Sequence, residues 1–440
     1  MLIFKSQCTK AIYAVEQLHY LLGIEFIDDV QLVTDIKDYN KDNFRPTILF
    51  SSEILKTDNY DDDLIIINTN IIDKIFDYFS LDSEKNMPTD ILNRVIFPEH
   101  SRDKLKKPII DISIYELRGL ICSRLSDLNV KYNLISWNDK PIVCLTHDVD
   151  SLKSKSWLRI LFWILSSFYK GGLKEKILES FDLINSDFDE YGAFEKFIEL
   201  EKRFSFKSTY FFLSLPFFLG SEGRRYRIKK NSIKKSIYNL IREGFEIGLH
   251  TSRKGSSNTL ILKNEIRRLR EATNNQSAYL GVRNHYLAGS FQDIWSGYEN
   301  LGFLYDSTLG WHDYNGYRSG TSIPYTPYDL QKDKAYNIYE LPQIIMDGSI
   351  EDRSSEEIFE DVKFFIDQTK KHNSVLTISW HTNRIISREF KNYSDAYRLI
   401  LHYLKELNFI SLTASEIIHR TRNYQERVKK NLFIQKDSLI

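Results

Sequence analysis

The residues able to do chemistry in this 440-residue chain gather at the ends of short apolar runs. Asp148 and Asp150 follow the run Ile142 to Thr146, and His250 follows Glu246-Ile247-Gly248-Leu249. Arg283 follows Leu280-Gly281-Val282, and His381 follows Ile378-Ser379-Trp380. Asp148 and Asp150 are two positions apart, so on an extended segment their side chains point the same way. Neighbouring carboxylates repel unless a cation or a shared proton compensates, so one could bind a cation while the other serves as a base. From Asp-Val-Asp alone, a pair of solvated turn carboxylates is the plainer reading. His250 and His381 each close an apolar run, where a neutral imidazole is a candidate metal ligand or general acid. His19, His372, His402 and His419 fall on predicted helices with no partner in sequence.

These positions need a scaffold that brings strand ends together. From Pro141 onward, apolar runs recur at Ile142 to Thr146, Ser208 to Leu213, Phe245 to Leu249, Tyr279 to Val282, Ile338 to Leu341, Val375 to Trp380 and Phe409 to Leu412. Segments between them, such as Leu262 to Leu269, carry the spacing of amphipathic helices. Alternating strands and helices predict an α/β fold with a parallel sheet, either open or closed into a barrel. In such barrels the active site assembles at the carboxyl ends of the strands. Ser394 is expected to cap a helix with the face Tyr397, Ile400, Leu401 and Leu404. Thr413-Ala414-Ser415-Glu416 reads as a capping box opening a last helix.

Residues 1–137 read as a separate small α/β domain of unassigned role, with helices at Ala11 to Leu22 and Ile114 to Leu125 and strands at Thr47 to Phe50 and Asp63 to Asn68. Residues 138–420 form the expected barrel, and the charged segment 421–440 reads as a tail that frays. Lys+Arg and Asp+Glu balance at 60 each, which argues against bulk electrostatic attraction to nucleic acid and leaves only a local basic patch open. Cys8, Cys122 and Cys144 are widely separated, which argues against a disulfide framework and fits a reducing compartment. The start of the chain has no apolar core of signal-peptide length, and no run approaches the roughly 20 apolar residues of a membrane span. The expected location is therefore cytoplasmic, or at a membrane surface through peripheral contact by 157–169, where Trp157 to Leu165 reads first as a core-packing helix and second as an amphipathic one.

Six blocks then occur in a shared order: Thr146-His147-Asp148-Val149-Asp150, Ser208-Thr209-Tyr210-Phe211-Phe212, Gly244-Phe245-Glu246-Ile247-Gly248-Leu249-His250-Thr251, Val282-Arg283-Asn284-His285-Tyr286, Tyr305-Asp306-Ser307-Thr308 and Trp380-His381. In that order the chain from about 141 to 415 resembles the polysaccharide deacetylase (NodB homology) family. The resemblance implies a distorted barrel of seven strands and metal-dependent removal of an N-acetyl group from a carbohydrate. By it, Asp148 is the general base, Asp150 and His250 are metal ligands, and Arg283 orients the base. The backbone N–H of Tyr286 would stabilise the oxyanion, and His381 would protonate the leaving amine. The implied cofactor is a divalent ion, Zn²⁺ first and Co²⁺ or Ni²⁺ as alternatives.

The chain departs from the family pattern in three places. Where a second histidine ligand is expected, Thr251-Ser252-Arg253-Lys254 carries Lys254, which is no ligand while charged. His285 replaces a proline; it is a candidate sugar contact, a replacement ligand or a plain surface residue. His147 replaces an aromatic residue, a polar change expected near the site. Arg318, between Gly316 and Gly320, is a candidate fork for a substrate carboxylate or phosphate, and Asp347 after Leu341-Pro342 is a further strand-end candidate. Asp306 is expected to fix a loop by hydrogen bonds. Two other readings stand beside the deacetylase: a non-catalytic glycan-binding or scaffolding protein that lost the metal, and a hydrolase of a non-sugar amide or cyclic ureide.

Overall fold

The computed structural model describes residues 1–34, 46–51, 64–150, 192–215, 226–274, 281–385 and 390–435. The helix expected at Trp157 to Leu165, the membrane contact at 157–169, and the first two residues of the strand expected at Tyr279 lie outside these. Among the described residues no helix is long and apolar enough to cross a membrane.

The N-terminal strands are β1 (Leu2–Lys5), β2 (Val30–Val33), β3 (Thr47–Ser51) and β4 (Leu64–Asn68), joined by α1 (Thr9–Leu22) and followed by α2 (Ile71–Ser80) and α3 (Ile109–Asp127). The second part carries β5 (Ile142–Val149), β6 (Ser208–Leu213), β7 (Glu246–Thr251), β8 (Gly281–Asn284), β9 (Tyr305–Asp306), β10 (Tyr339–Glu340), β11 (Ile345–Met346), β12 (Val375–Ser379) and β13 (Ile410–Ser411). Its helices are α4 (Gly192–Arg203), α5 (Asn231–Arg242), α6 (Thr259–Ala272), α7 (Phe291–Asn300), α8 (Ser355–His372), α9 (Lys391–Glu406) and α10 (Ala414–Lys429). A final strand, β14, spans Leu432–Gln435.

The strands β5 to β13 make one parallel sheet in the order β10-β9-β8-β7-β6-β5-β12-β11, with β13 also pairing β5. All seven expected strands are in it; β9 and β11 are additions of two residues each, too short to leave a periodic signal. Every residue of β5 is buried, as a central parallel strand covered on both faces requires. Gly281 is dictated by close packing: a Cβ there would lie 1.9 Å from the Tyr305 ring. That ring's hydroxyl donates to Glu246 Oε1 at 2.9 Å, and Thr209 Oγ1 and the Ser415 N–H fill Oε2 at 2.8 and 2.9 Å. These bonds close the floor of the sheet.

Within the tail expected at 421–440, the described residues 421–435 depart from the expectation. α10 runs on to Lys429, because Thr421, Tyr424 and Val428 recur at helical spacing and are buried within an otherwise charged stretch. The rings of Tyr424 and Tyr20 meet edge-on at 5.6 Å. β14 then pairs in parallel with β1, giving the N-terminal sheet the order β14-β1-β2-β3-β4. Ser394 likewise lies inside the first turn of α9, which begins at Lys391, although the expected face is buried. Thr413 and Glu416 do form the capping box of α10.

One hydrophobic cluster runs through both parts, including Leu2, Ile75, Phe79, Tyr325 and Ile378. Phe79 stacks on Tyr325 at 3.9 Å, and the Tyr20 hydroxyl donates to the Pro324 carbonyl at 2.9 Å. Asn431 fastens the chain end to the start: its side chain accepts from the Phe26 N–H at 2.8 Å and donates to the Phe26 carbonyl at 2.7 Å. Asn431→Ala leaves both backbone groups without these partners, so chemical denaturation should show a loss of about 1–3 kcal/mol. A frayed terminus would instead lose less than about 0.5 kcal/mol, the range for surface changes.

Candidate active site

The strand ends converge as the sequence suggests. On β5, alternation sends Thr146 and Asp148 to the inner face, with Asp150 just beyond the strand, and turns His147 outward. His147 is fully buried against Phe197 and Tyr210, bonded to Glu201 Oε1 at 2.8 Å and to the Trp380 carbonyl at 2.8 Å. The expectation that it lies near the site is thus corrected: it ties the strand to α4, and period-two alternation in the sequence carried the signal.

Arg283 fills the interior and is 0% exposed. Its Nη1 donates to Thr146 Oγ1 at 2.8 Å, Asp148 Oδ1 at 2.9 Å and Ser379 Oγ at 3.1 Å. Nε donates to the Ser307 carbonyl and Nη2 to Ser307 Oγ, each at 2.9 Å, and the guanidinium lies over the Phe211 ring at 4.5 Å. A buried guanidinium persists only when it is well engaged, and here each of its three nitrogens has an acceptor. Burial pushes the Asp148 carboxyl upward, but the charges of Arg283, His250 and His381 outweigh this and hold it below the usual carboxylate range. Thr146 and Ser379 went unnoticed in the sequence; each lies two residues before a chemical residue on its strand.

Asp150 meets three imidazoles. Its Oδ1 lies 3.1 Å from His250 Nε2, and its Oδ2 lies 3.3 Å from His285 Nε2 and 3.8 Å from His381 Nε2. The contacts from His250 and His285 outweigh burial and hold the Asp150 carboxyl well below its usual range. One ligand atom each from Asp150, His250 and His285 falls within a mutual 4.8 Å. His285 is therefore part of the cluster: it is 2% exposed, so the surface alternative is removed. Lys254, at the expected ligand position, lies exposed in a turn.

The tautomer of His250 tests the fit of a metal. Its Nδ1 lies 2.9 Å from the Arg283 carbonyl, an acceptor only, so Nδ1 carries the hydrogen. In the neutral ring Nε2 then presents a lone pair to a carboxylate oxygen. With a proton on Nε2 this contact is an ion pair, and a metal cation in place of that proton would be held by the same two atoms. The donor set of one carboxylate and two imidazoles, with one imidazole held by an outer carbonyl, suits Zn²⁺ or a similar ion.

His381 is oriented by Asp347, which is fully buried. Asp347 Oδ1 lies 2.5 Å from His381 Nδ1, and Oδ2 accepts from the His381 N–H at 3.0 Å and pairs with Arg384 Nε at 3.2 Å. Burial lowers the His381 pKa, but the charge and hydrogen bond of Asp347, with the charges of Asp150 and Asp148, raise it to about 10. Tyr286 adopts a left-handed backbone, with φ 63°, and its ring stacks on His285 at 3.8 Å while remaining 41% exposed.

Arg318 does not join the site. It is 5% exposed, paired with Glu84 at 2.7 and 3.1 Å, donating to the Gly310 carbonyl at 3.0 Å, and sandwiched between Phe291 and Trp311. Its expected role as a substrate fork is corrected, because both carboxylate oxygens of Glu84 occupy the guanidinium. Asp306 fixes its loop as expected, accepting from the Thr308 N–H at 3.0 Å.

The three-residue cluster makes a direct expectation. Asp150→Ala, His250→Ala and His285→Ala should each weaken Co²⁺ or Zn²⁺ binding in calorimetric titration by at least about tenfold, since even outer partners of ligands cost 10–100-fold. Lys254→Ala should leave affinity unchanged. Retained affinity in His285→Ala would remove that residue from the ligand set.

No family model matches the sequence, and no curated protein matches it. Solved structures do align with it. A Mycobacterium smegmatis protein provisionally described as a polysaccharide deacetylase aligns with 70% of this chain and 96% of its own, at 16% identity and a TM-score of 0.43. An allantoinase aligns with 65% of this chain and 92% of its own, at 14% identity and a TM-score of 0.43. Peptidoglycan deacetylase PdaC from Bacillus subtilis aligns with 67% and 99%, at 11% identity and a TM-score of 0.31. Over much of its length this chain is thus similar to solved deacetylases and to an allantoinase, at levels that leave the reading of the site to its own geometry.

Proposed function

We propose that the chain hydrolyses an N-acyl bond on a carbohydrate, removing an acetyl group in polysaccharide or cell-surface glycan metabolism. One observation carries this reading: Asp150, His250 and His285 bring one ligand atom each within a mutual 4.8 Å, with Asp148 and His381 beside them. Asp150, His250 and His285 would hold a divalent ion, which polarises an acyl carbonyl and lowers the pKa of water.

The chain's own residues divide the proton traffic. Asp148, kept ionised by Arg283, takes a proton from the attacking water as the C–O bond forms. His381, kept protonated by Asp347, gives a proton to the nitrogen as the C–N bond breaks. The acceptor and the donor are thereby set on opposite sides of neutrality, the arrangement acid–base catalysis at neutral pH requires. The products are a carboxylic acid and a free amine. The sugar part of the proposal rests on the ordered motifs; the hydrolytic part rests on geometry.

Assay of acetate release from N-acetylated oligosaccharides with added Zn²⁺, Co²⁺ or Ni²⁺ tests it. Turnover should appear, be lost on chelation, and fall by about 10²–10⁴-fold in Asp148→Asn. Failure across sugars, with turnover of a ureide or simple amide, would replace the substrate class. Failure across all of these with glycan binding indifferent to chelator would replace the enzyme with a binding protein.

The pH profile supplies a second expectation. The low Asp148 pKa sets the acid limb and the raised His381 pKa sets the alkaline limb, so the plateau is broad. Asp347→Asn removes the charge that raises His381, and the alkaline limb should move down by about 1–3 pH units. An unmoved limb would show that another group supplies the proton.

A further inference from the structure

We propose that the cleft between the N-terminal part and the floor of the barrel is a second ligand site, for a small organic anion that presents a carboxylate or phosphate. The cleft is partly open, holds about 100 Å³, and is bounded by α3, the 135–138 connection, the C-terminal ends of α1 and α8, and Tyr424 of α10. A water needs ~10–15 Å³ by the same measure, so several waters, or an anion with part of its carrier, fit.

Its location separates it from the hydrolytic centre. Trp137 and Asn138 stand before β5, and His372 and Asn373 stand before β12, whereas Asp148 and His381 stand at the other ends of those strands. The length of β5 puts roughly 25 Å between the two sites.

The walls carry donors that nothing among the described residues fills. Trp137 Nε1 is buried without a hydrogen-bond partner, and so are both ring nitrogens of His372. Arg118 faces the same cleft, and no ion pair forms on it among the described residues. An indole N–H and a guanidinium donate only, so their complement is rich in acceptors, and a guanidinium suits the paired oxygens of a carboxylate or phosphate. His372 is held neutral by burial and by the charge of Lys371, which leaves it one donor and one acceptor.

The one carboxylate on the wall, Asp111, is already engaged. Its oxygens accept from the Thr321 hydroxyl and from the N–H and hydroxyl of Ser322, the last two at 3.2 Å. Tyr115, edge-on to His372 at 6.0 Å and 58% exposed, offers a ring face at the mouth for the body of the ligand. Since the walls come from both parts of the chain, an occupant would brace the barrel against the N-terminal part.

Titration of the full chain with inorganic phosphate, glucose 1-phosphate and citrate, read by tryptophan fluorescence and by the melting temperature, tests this. At least one probe should bind saturably, with the phosphate and citrate arms assigning the anion. Arg118→Gln and Trp137→Phe should each weaken that binding by at least about tenfold, the range of a lost charge-assisted bond. Asp148→Asn should leave it unchanged. Absence of saturable binding to every probe at millimolar concentration, or binding insensitive to Arg118→Gln in a variant of unchanged circular dichroism, would overturn the proposal. So would binding abolished by Asp148→Asn, which would place it in the barrel mouth.

Discussion

Arg283 is the constraint around which the site is built. A guanidinium with no exposure sits where the strand ends meet, and burial of such a charge is tolerable because each of its nitrogens has an acceptor and Asp148 lies beside it. Its side chain joins β5, β12 and the Ser307 turn after β9, and it holds Asp148 ionised. Its own carbonyl accepts from His250 Nδ1 and so fixes which nitrogen of that ring faces Asp150. One residue therefore sets both the ionisation of Asp148 and which nitrogen of His250 faces Asp150. Asp347 does the matching work for His381 from the neighbouring strand.

The scaffold explains why these residues meet. A parallel sheet sends all its strands the same way, so residues that follow apolar runs, though far apart in sequence, arrive at one end of it. The floor at the opposite end is sealed by the Glu246 bonds and by close packing of Tyr305 over Gly281. The N-terminal part is not an appendage. It shares a continuous core with the barrel, takes up the chain's last strand, and supplies Glu84 to the buried Arg318.

Much of this was legible in the sequence, and the reasons are local. Apolar runs of four or more residues mark the long strands, and a chemical residue after four of the seven marks the candidate site. Asp148, Asp150, His250, Arg283 and His381 were singled out by that rule, and the fold brings them together. Residues whose meaning depends on distant partners were not legible. Lys254 marked a departure from the resembled pattern, but only the fold places His285 beside His250. Arg318 between glycines looked free because Glu84, which holds it, is 234 positions away in the chain. The charged C-terminal segment hid its apolar spacing of Thr421, Tyr424 and Val428, and nothing in four residues could announce β14 as the partner of β1. His147 was misplaced for a simpler reason: it alternates with Asp148, and its burial follows from that parity.

The central claim is that Asp150, His250 and His285 together hold one divalent cation between the base and the acid. Anomalous diffraction at the zinc edge, from crystals soaked in Zn²⁺, tests it most directly. The account predicts a single strong peak at bonding distance, about 2.0–2.2 Å, from Asp150 and from Nε2 of both histidines. A peak that engages Asp150 and His250 without His285, or Zn²⁺ bound only elsewhere on the chain, would contradict it.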